Sequence, residues 1–227
     1  LMCHYGKFSY LFEPQKSLNQ ILKKNLECNN FKNFKIYPFG LSNKDSVLDF
    51  FHNTSGNIGN SGFDAGQLNE NSYHVSKIKV KRGDSIISSL NCHDVNFIKI
   101  DVEGLEVEVL KGLENTILSF QPIIMLEWSK KTKQKFQKME LQKNILSNYT
   151  FKKLIVPKEK EKEKEKEKEN LSQFLKNKLK NYRIIQKINS WYKKNTPPEI
   201  RTESFSTNEE KYYENILCLP ARYKDIL

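Results

Sequence analysis

Val95-Asn96-Phe97-Ile98-Lys99-Ile100-Asp101-Val102-Glu103-Gly104 sets the architecture of this 227-residue chain. Its first part is an apolar run of the length of one buried strand. The run stops at a carboxylate, Asp101, and Gly104 then lets the backbone turn sharply. Leu105, Val109, Leu113 and Ile117 follow at helical spacing, so the strand feeds a helix that lays one apolar stripe back onto it. A second strand comes next at Ile123 to Leu126 and ends at another acidic residue, Glu127.

The same alternation extends in both directions. Upstream, Phe8 to Phe12 reads as a buried strand stopped by Glu13-Pro14, and Leu18, Ile21, Leu22 and Leu26 mark one face of a helix. Phe34 to Leu41 reads as a strand, and Val47–Phe51 and Ile78–Val80 as shorter ones joined by a loop rich in Asn, Gly and Ser. Asp84 is placed to cap a short helix bearing Ile86, Ile87 and Leu90. Downstream, Lys133 to Leu146 reads as a helix with Phe136, Met139 and Ile145 facing in, and Phe151 to Val156 as a strand. Strands alternating with helices predict an α/β fold with a mostly parallel sheet covered on both faces. Such sheets bind ligands outside the carboxyl ends of their strands, where Glu13, Asp101 and Glu127 all fall.

Residues 157–169 are a different material: Pro157, then Lys and Glu in strict alternation to Glu169. With no apolar residue this stretch cannot pack, and it reads as a solvated spacer. From 170 to 194, Leu171, Phe174, Leu175, Leu179, Tyr182, Ile185, Ile188 and Tyr192 recur at helical spacing, among seven basic residues and no acidic one. Such a helix suits either an anionic membrane surface or the parent domain. Asn215-Ile216-Leu217-Cys218-Leu219-Pro220 then reads as one more strand returning to the sheet. The organisation expected is a core at 1–156, an insertion at 157–211, and a final strand with tail at 212–227.

Composition narrows the classes. The chain is 37% hydrophobic and 29% charged, with 38 Lys and Arg against 27 Asp and Glu, a net charge of +11. Residues 1–157 hold 21 basic against 15 acidic side chains, 158–169 six of each, and 170–227 eleven against six. The excess is therefore spread along the chain, and this Lys- and Asn-rich composition fits a low-GC genome as well as a functional basic surface. No apolar run approaches the ~18 residues of a membrane span. The first residues lack the basic and apolar blocks of a secretory signal. Cys3, Cys28, Cys92 and Cys218 are scattered without metal-like spacing, so reduced thiols, no structural metal and a cytoplasmic setting are expected, with peripheral attachment to a membrane left open.

Four passages resemble the FkbM-type methyltransferases, a family of S-adenosylmethionine-dependent enzymes. They are Phe12-Glu13-Pro14 with the helix ending Lys24-Asn25-Leu26; Gly40-Leu41-Ser42 with Asn57-Ile58-Gly59; Phe97 to Gly104 running into Glu106 and Val109-Leu110-Lys111-Gly112; and Gln121-Pro122 to Glu127. The closing Asn215 to Pro220 is similar to that family's last strand. The resemblance implies a Rossmann-like class I methyltransferase sheet, with S-adenosylmethionine as cofactor and a hydroxyl of a sugar or other glycoconjugate as acceptor. It gives Glu13 the ribose hydroxyls and assigns Ser42 and Asp101 to the cofactor as well; the 52–76 loop, with Asn57 and Gly59, is expected at the substrate mouth because long loops in compact domains are usually functional. It also implies a first strand and a D-x-G-x-x-x-G loop ahead of Glu13, which this sequence does not carry. The expectation is therefore a truncated or frameshifted copy, its sheet in two halves across a gap, binding S-adenosylmethionine poorly.

Methyl transfer from a sulfonium to a hydroxyl needs alignment and a proton acceptor. Alignment can contribute ~7–11 kcal/mol, and a positioned base roughly 10²- to 10⁴-fold. Asp101, Glu103 and Glu127 are the candidates for the base, with His93 and His74 behind them. A divalent metal held by one or two carboxylates is the other way to acidify the hydroxyl. Three further readings compete. A dehydrogenase would share the ribose carboxylate but needs its own glycine fingerprint, which is absent. Nucleic-acid methylation is disfavoured because Val102-Glu103-Gly104, not a Pro-Pro-aromatic run, follows Asp101. The last is an inactive remnant whose basic helix binds a membrane or a partner.

Overall fold

The computed structural model describes residues 2–54, 61–63, 73–90, 92–155, 201–204, 206–207 and 213–223. The Lys/Glu stretch, the basic helix expected at 170–194, and Asn57 and Gly59 lie outside the described residues.

The fold is mixed α/β. Helix α1 (Met2–Tyr5) precedes strand β1 (Ser9–Phe12), helix α2 (Lys16–Cys28) and strand β2 (Phe34–Tyr37). Strands β1 and β2 run parallel, Ser9 opposite Phe34 and Phe12 opposite Tyr37, and form a two-stranded sheet. The strand expected over Phe34–Leu41 is broken in two: Pro38 has no N–H to give a ladder, and the chain resumes as β3 (Gly40–Ser42) in a different sheet. There β3 flanks β5 (Tyr73–Arg82), which pairs antiparallel with β4 (Ser46–Asn53) from Ser46–Val80 to Asn53–Tyr73. These two strands are longer than the apolar runs suggest, because their ends are polar residues held by ladder hydrogen bonds.

The main sheet has five strands in the order β6 (Phe97–Ile100), β7 (Ile123–Trp128), β10 (Tyr213–Pro220), β8 (Tyr149–Ile155), β9 (Arg201–Ser204). Only β6 and β7 are parallel; β10 enters antiparallel between β7 and β8, and β9 is antiparallel to β8. This corrects the expectation of a mostly parallel sheet: β10 runs antiparallel to both of its neighbours, a pairing that requires no crossover helix. The described strands thus fall into separate sheets, with β6 at an edge of the largest one.

One face of that sheet makes the core. Ile100, Ile124, Leu126, Trp128, Ile216, Cys218 and Phe151 pack there against α4 (Glu106–Gly112), α5 (Glu114–Phe120), α6 (Lys130–Lys138) and α7 (Leu141–Asn144). Trp128, Phe136 and Phe151 meet edge to face, with centroids 5.1 and 6.0 Å apart. The opposite face carries a smaller cluster of Ile123 and Leu219 with Phe97, Leu217 and Tyr223. Described helices therefore cover one face of this sheet, not both. The stripe Leu105, Val109, Leu113, Ile117 is buried as the spacing predicts. The single helix expected there breaks at Leu113 into α4 and α5. A second break, at left-handed Glu140, divides the helix expected over Lys133–Leu146. In α2 only Leu26 is buried and Ile21 stays half-exposed, so that stripe is covered less than its pattern suggests.

Two contacts seat α4 and α5. At Gly112 the helix comes so close to β3 that a Cβ would lie 2.0 Å from the Ser42 carbonyl oxygen. Asp84 sits inside the first turn of α3 (Gly83–Ser89) and does not cap it. Its carboxylate accepts hydrogen bonds from Asn115 N–H (3.1 Å), Thr116 N–H (3.0 Å) and the Thr116 hydroxyl (2.8 Å), and so caps α5 from another element.

Candidate active site

Parallel pairing places Ile100 opposite Leu126, so Asp101, just past the end of β6, and Glu127, the residue of β7 before Trp128, lie side by side. Beyond Asp101 the chain makes an unusual turn. Glu103 has φ 54° and Gly104 φ 105°, consecutive positive values that a glycine adopts freely and a glutamate does not. The turn is held from both sides. Glu106, 1% exposed, accepts through Oε1 from Val102 N–H (3.3 Å) and Gly104 N–H (2.9 Å), and through Oε2 from the Thr132 hydroxyl (2.9 Å). From α6, Lys135 Nζ donates to the Gly104 carbonyl at 2.9 Å and pairs with Glu108 at 3.1 Å. The strained Glu103 backbone persists because its neighbours fix the loop around it.

The hairpin of β4 and β5 also reaches this loop. Gly62 exchanges both backbone hydrogen bonds with Phe51, and Phe63 N–H approaches the Glu103 carbonyl at 3.4 Å. A Cβ on Gly62 would lie 3.0 Å from that carbonyl oxygen. The Phe63 ring stands edge-on to Phe50 at 5.0 Å, which fixes the returning segment to the hairpin.

Four carboxylates gather here, and their charges act on one another. Burial, then Asp101 and Glu106, raise the Glu103 carboxyl above its ordinary range. Burial, then Glu106, Asp101 and Glu103, push Glu127 up to about 7, with Lys99 opposing. Lys99 Nζ lies 2.6 Å from Asp101 Oδ2, both side chains being about two-fifths exposed. A carboxyl near 7 can hold or release a proton at neutral pH, which a general base requires.

The structure thus brings Asp101, Glu103 and Glu127 together. It places the other expected residues elsewhere. Glu13 follows β1 in the two-stranded sheet; its Oε1 accepts from Gln15 N–H at 2.7 Å, and burial raises its pKa against that bond. A cleft of about 470 Å³ opens just past it, between Pro14 to Ser17 and the strands carrying His52, Ser76 and Lys77. Ser42 is buried where β3 meets Gly112 of α4, with its hydroxyl 3.4 Å from Asn43 Oδ1. His74 stacks on His52 across the hairpin at 4.3 Å, and His93 is exposed in the segment before β6. Among the described residues no three His, Cys, Asp or Glu side chains are arranged to hold a metal ion. No helix among them is long and apolar enough to cross a membrane.

The sequence reading names Glu106 only within the passage that resembles the family, and it gives no place to Thr132 or Lys135. The Gly104-x-Glu106 spacing, with a carboxylate in the first helical turn, was the available signal for Glu106. Nothing local marks Thr132 or Lys135, which arrive from a helix more than 25 residues on.

Residues 2–155 match the methyltransferase FkbM domain family. Among solved structures the chain is similar to the crystal structure of methyltransferase FkbM from Methylobacillus flagellatus KT. The identity is 17% and the TM-score 0.42, over 64% of this chain and 32% of that one. The chain therefore spans about a third of that protein's length. No curated protein matches it.

Proposed function

The chain belongs to the FkbM methyltransferase domain family, and from that membership we propose that it transfers a methyl group from S-adenosylmethionine to a hydroxyl of a sugar or glycoconjugate. The observation that carries the reading is Glu127. It is a carboxyl held near 7, beside Asp101 at the carboxyl ends of two parallel strands. Under the same proposal, the β1–β2 pair and the β6–β7 pair are parts of a Rossmann-like arrangement, with ligand bound past the strand ends.

The residues present suit this cofactor in two respects. Glu13 gives one carboxylate oxygen to Gln15 N–H and keeps the other for a ribose hydroxyl. Asp101, Glu103, Glu106 and Glu127 make a negative region suited to a sulfonium cation. When bound, S-adenosylmethionine supplies a methyl carbon open to in-line attack. Glu127 takes the proton of the acceptor hydroxyl as the oxygen becomes a nucleophile. Asp101, one oxygen tied to Lys99, orients that hydroxyl with the other. Glu103, fixed in its left-handed turn, closes the negative region on the side of the β4–β5 hairpin.

The experiment uses S-adenosylmethionine labelled on its methyl group with a panel of methyl glycosides. Label should appear as an O-methyl ether, rise with pH through about 7, and fall roughly 10²- to 10⁴-fold in Glu127→Gln. Transfer that does not exceed the protein-free background would refute the proposal.

A further inference from the structure

Asn215 lies directly opposite Glu127 in the antiparallel ladder of β7 and β10. Directly opposed residues project from the same face, with Cβ atoms about 4.5–5.5 Å apart. Asp101 follows Ile100, the partner of Leu126, so Asp101, Glu127 and Asn215 form one polar row across three adjacent strands. The next row on that face is Lys99, Met125 and Leu217, and beyond it come the apolar Phe97, Ile123 and Leu219. Polar side chains therefore collect at one end of the face and apolar ones at the other.

Two features separate Asn215 from an ordinary sheet asparagine. Its side-chain carbonyl oxygen is buried and accepts no hydrogen bond from any described residue. A buried acceptor left unmade costs about 1–3 kcal/mol, so a purely structural position would have lost it to an apolar residue of the same shape. The ladder also slips between Tyr213 and Asn215. Such bulges re-aim a side chain and are common beside active sites. Together the slip and the orphaned oxygen describe an acceptor waiting for a donor beside Glu127.

We propose that Asn215 is a substrate-positioning residue, whose side-chain carbonyl accepts the hydrogen bond of a hydroxyl adjacent to the one that Glu127 deprotonates. Two side chains that stand directly opposite each other in the ladder suit neighbouring hydroxyls of one ring, so the acceptor class is a vicinal diol. This rests on the methyl-transfer reading above and narrows it.

The test compares the protein with its Asn215→Leu variant, on methyl glycosides and on the same glycosides lacking the hydroxyl beside the methylated one. The unaltered protein should favour the diol by roughly 10-fold or more in kcat/KM, because a site that leaves a polar group unpaired rejects the deoxy analogue. Asn215→Leu should abolish that preference, by lowering kcat/KM on the diol toward the value on the deoxy acceptor, and melt no lower than the parent. A preference that survives in Asn215→Leu, or a melting point lowered by more than roughly 4 °C, would overturn the assignment and make the amide structural. An active parent with an indistinguishable variant defeats this inference alone. A parent that methylates no glycoside of the panel defeats the proposed function, and this inference with it.

Discussion

Replacing Glu127 by Gln should stabilise the protein above neutral pH while removing its base. An ordinary glutamate releases its proton near 4.5, whereas folded Glu127 keeps it to about 7. Between those values the folded chain holds a proton that the unfolded chain has lost. Stability therefore falls as pH rises through this window and levels off above it. At full strength the separation corresponds to about 3.4 kcal/mol. Glu127 is only partly buried and water screens its neighbours, which leaves about 1–2 kcal/mol. Glutamine has no proton to lose, so Glu127→Gln should melt about 3–6 °C above the parent at about pH 8. The gap should close below about pH 4, where folded and unfolded glutamate both become neutral. Thermal denaturation of both proteins in matched buffers reads the difference directly. A gap that does not change with pH, or a variant less stable at pH 8, would refute the account of four carboxylates crowding one another.

Two further outcomes follow from the packing. Asp84→Ala strips the acceptor from Asn115 N–H, Thr116 N–H and the Thr116 hydroxyl. It should cost about 2–3 kcal/mol in urea unfolding, and a loss under half of that would show that water replaces the cap. Gly112→Ala forces a methyl group to within 2.0 Å of a backbone oxygen. It should lower stability by at least about 3 kcal/mol, and a variant as stable as the parent would show that α4 can lift off β3.

What could be read in advance follows from how each signal is encoded. The strands at 97–100 and 123–128 and the stripe Leu105, Val109, Leu113, Ile117 were legible because burial on a fixed period writes itself into the residues. The carboxylates Asp101, Glu103 and Glu127 were legible because strand ends can be located from the apolar runs. The β4–β5 hairpin was underestimated because its outer pairs, such as His52 with His74, carry no apolar alternation. Asp84 was assigned to the nearest helix because its true partner, Thr116, stands 32 residues away. Asn215 looked like the opening residue of a strand; only the register across from Glu127 reveals its neighbour. Strand partners far apart along the chain are set by the whole fold, and no short window contains them.

The seat of α4 on β3, where Gly112 meets the Ser42 carbonyl, is fixed by shape. Neither salt nor acidity can tune a contact made by the lack of a side chain. The strand tips are the reverse: mutual repulsion among Asp101, Glu103 and Glu127 makes them respond to every change of medium. Alkaline solution therefore softens the rim of the molecule while its root stays locked. Hydrogen exchange should quicken first at Val102 to Gly104, and only later, with global opening, in the last turn of α4.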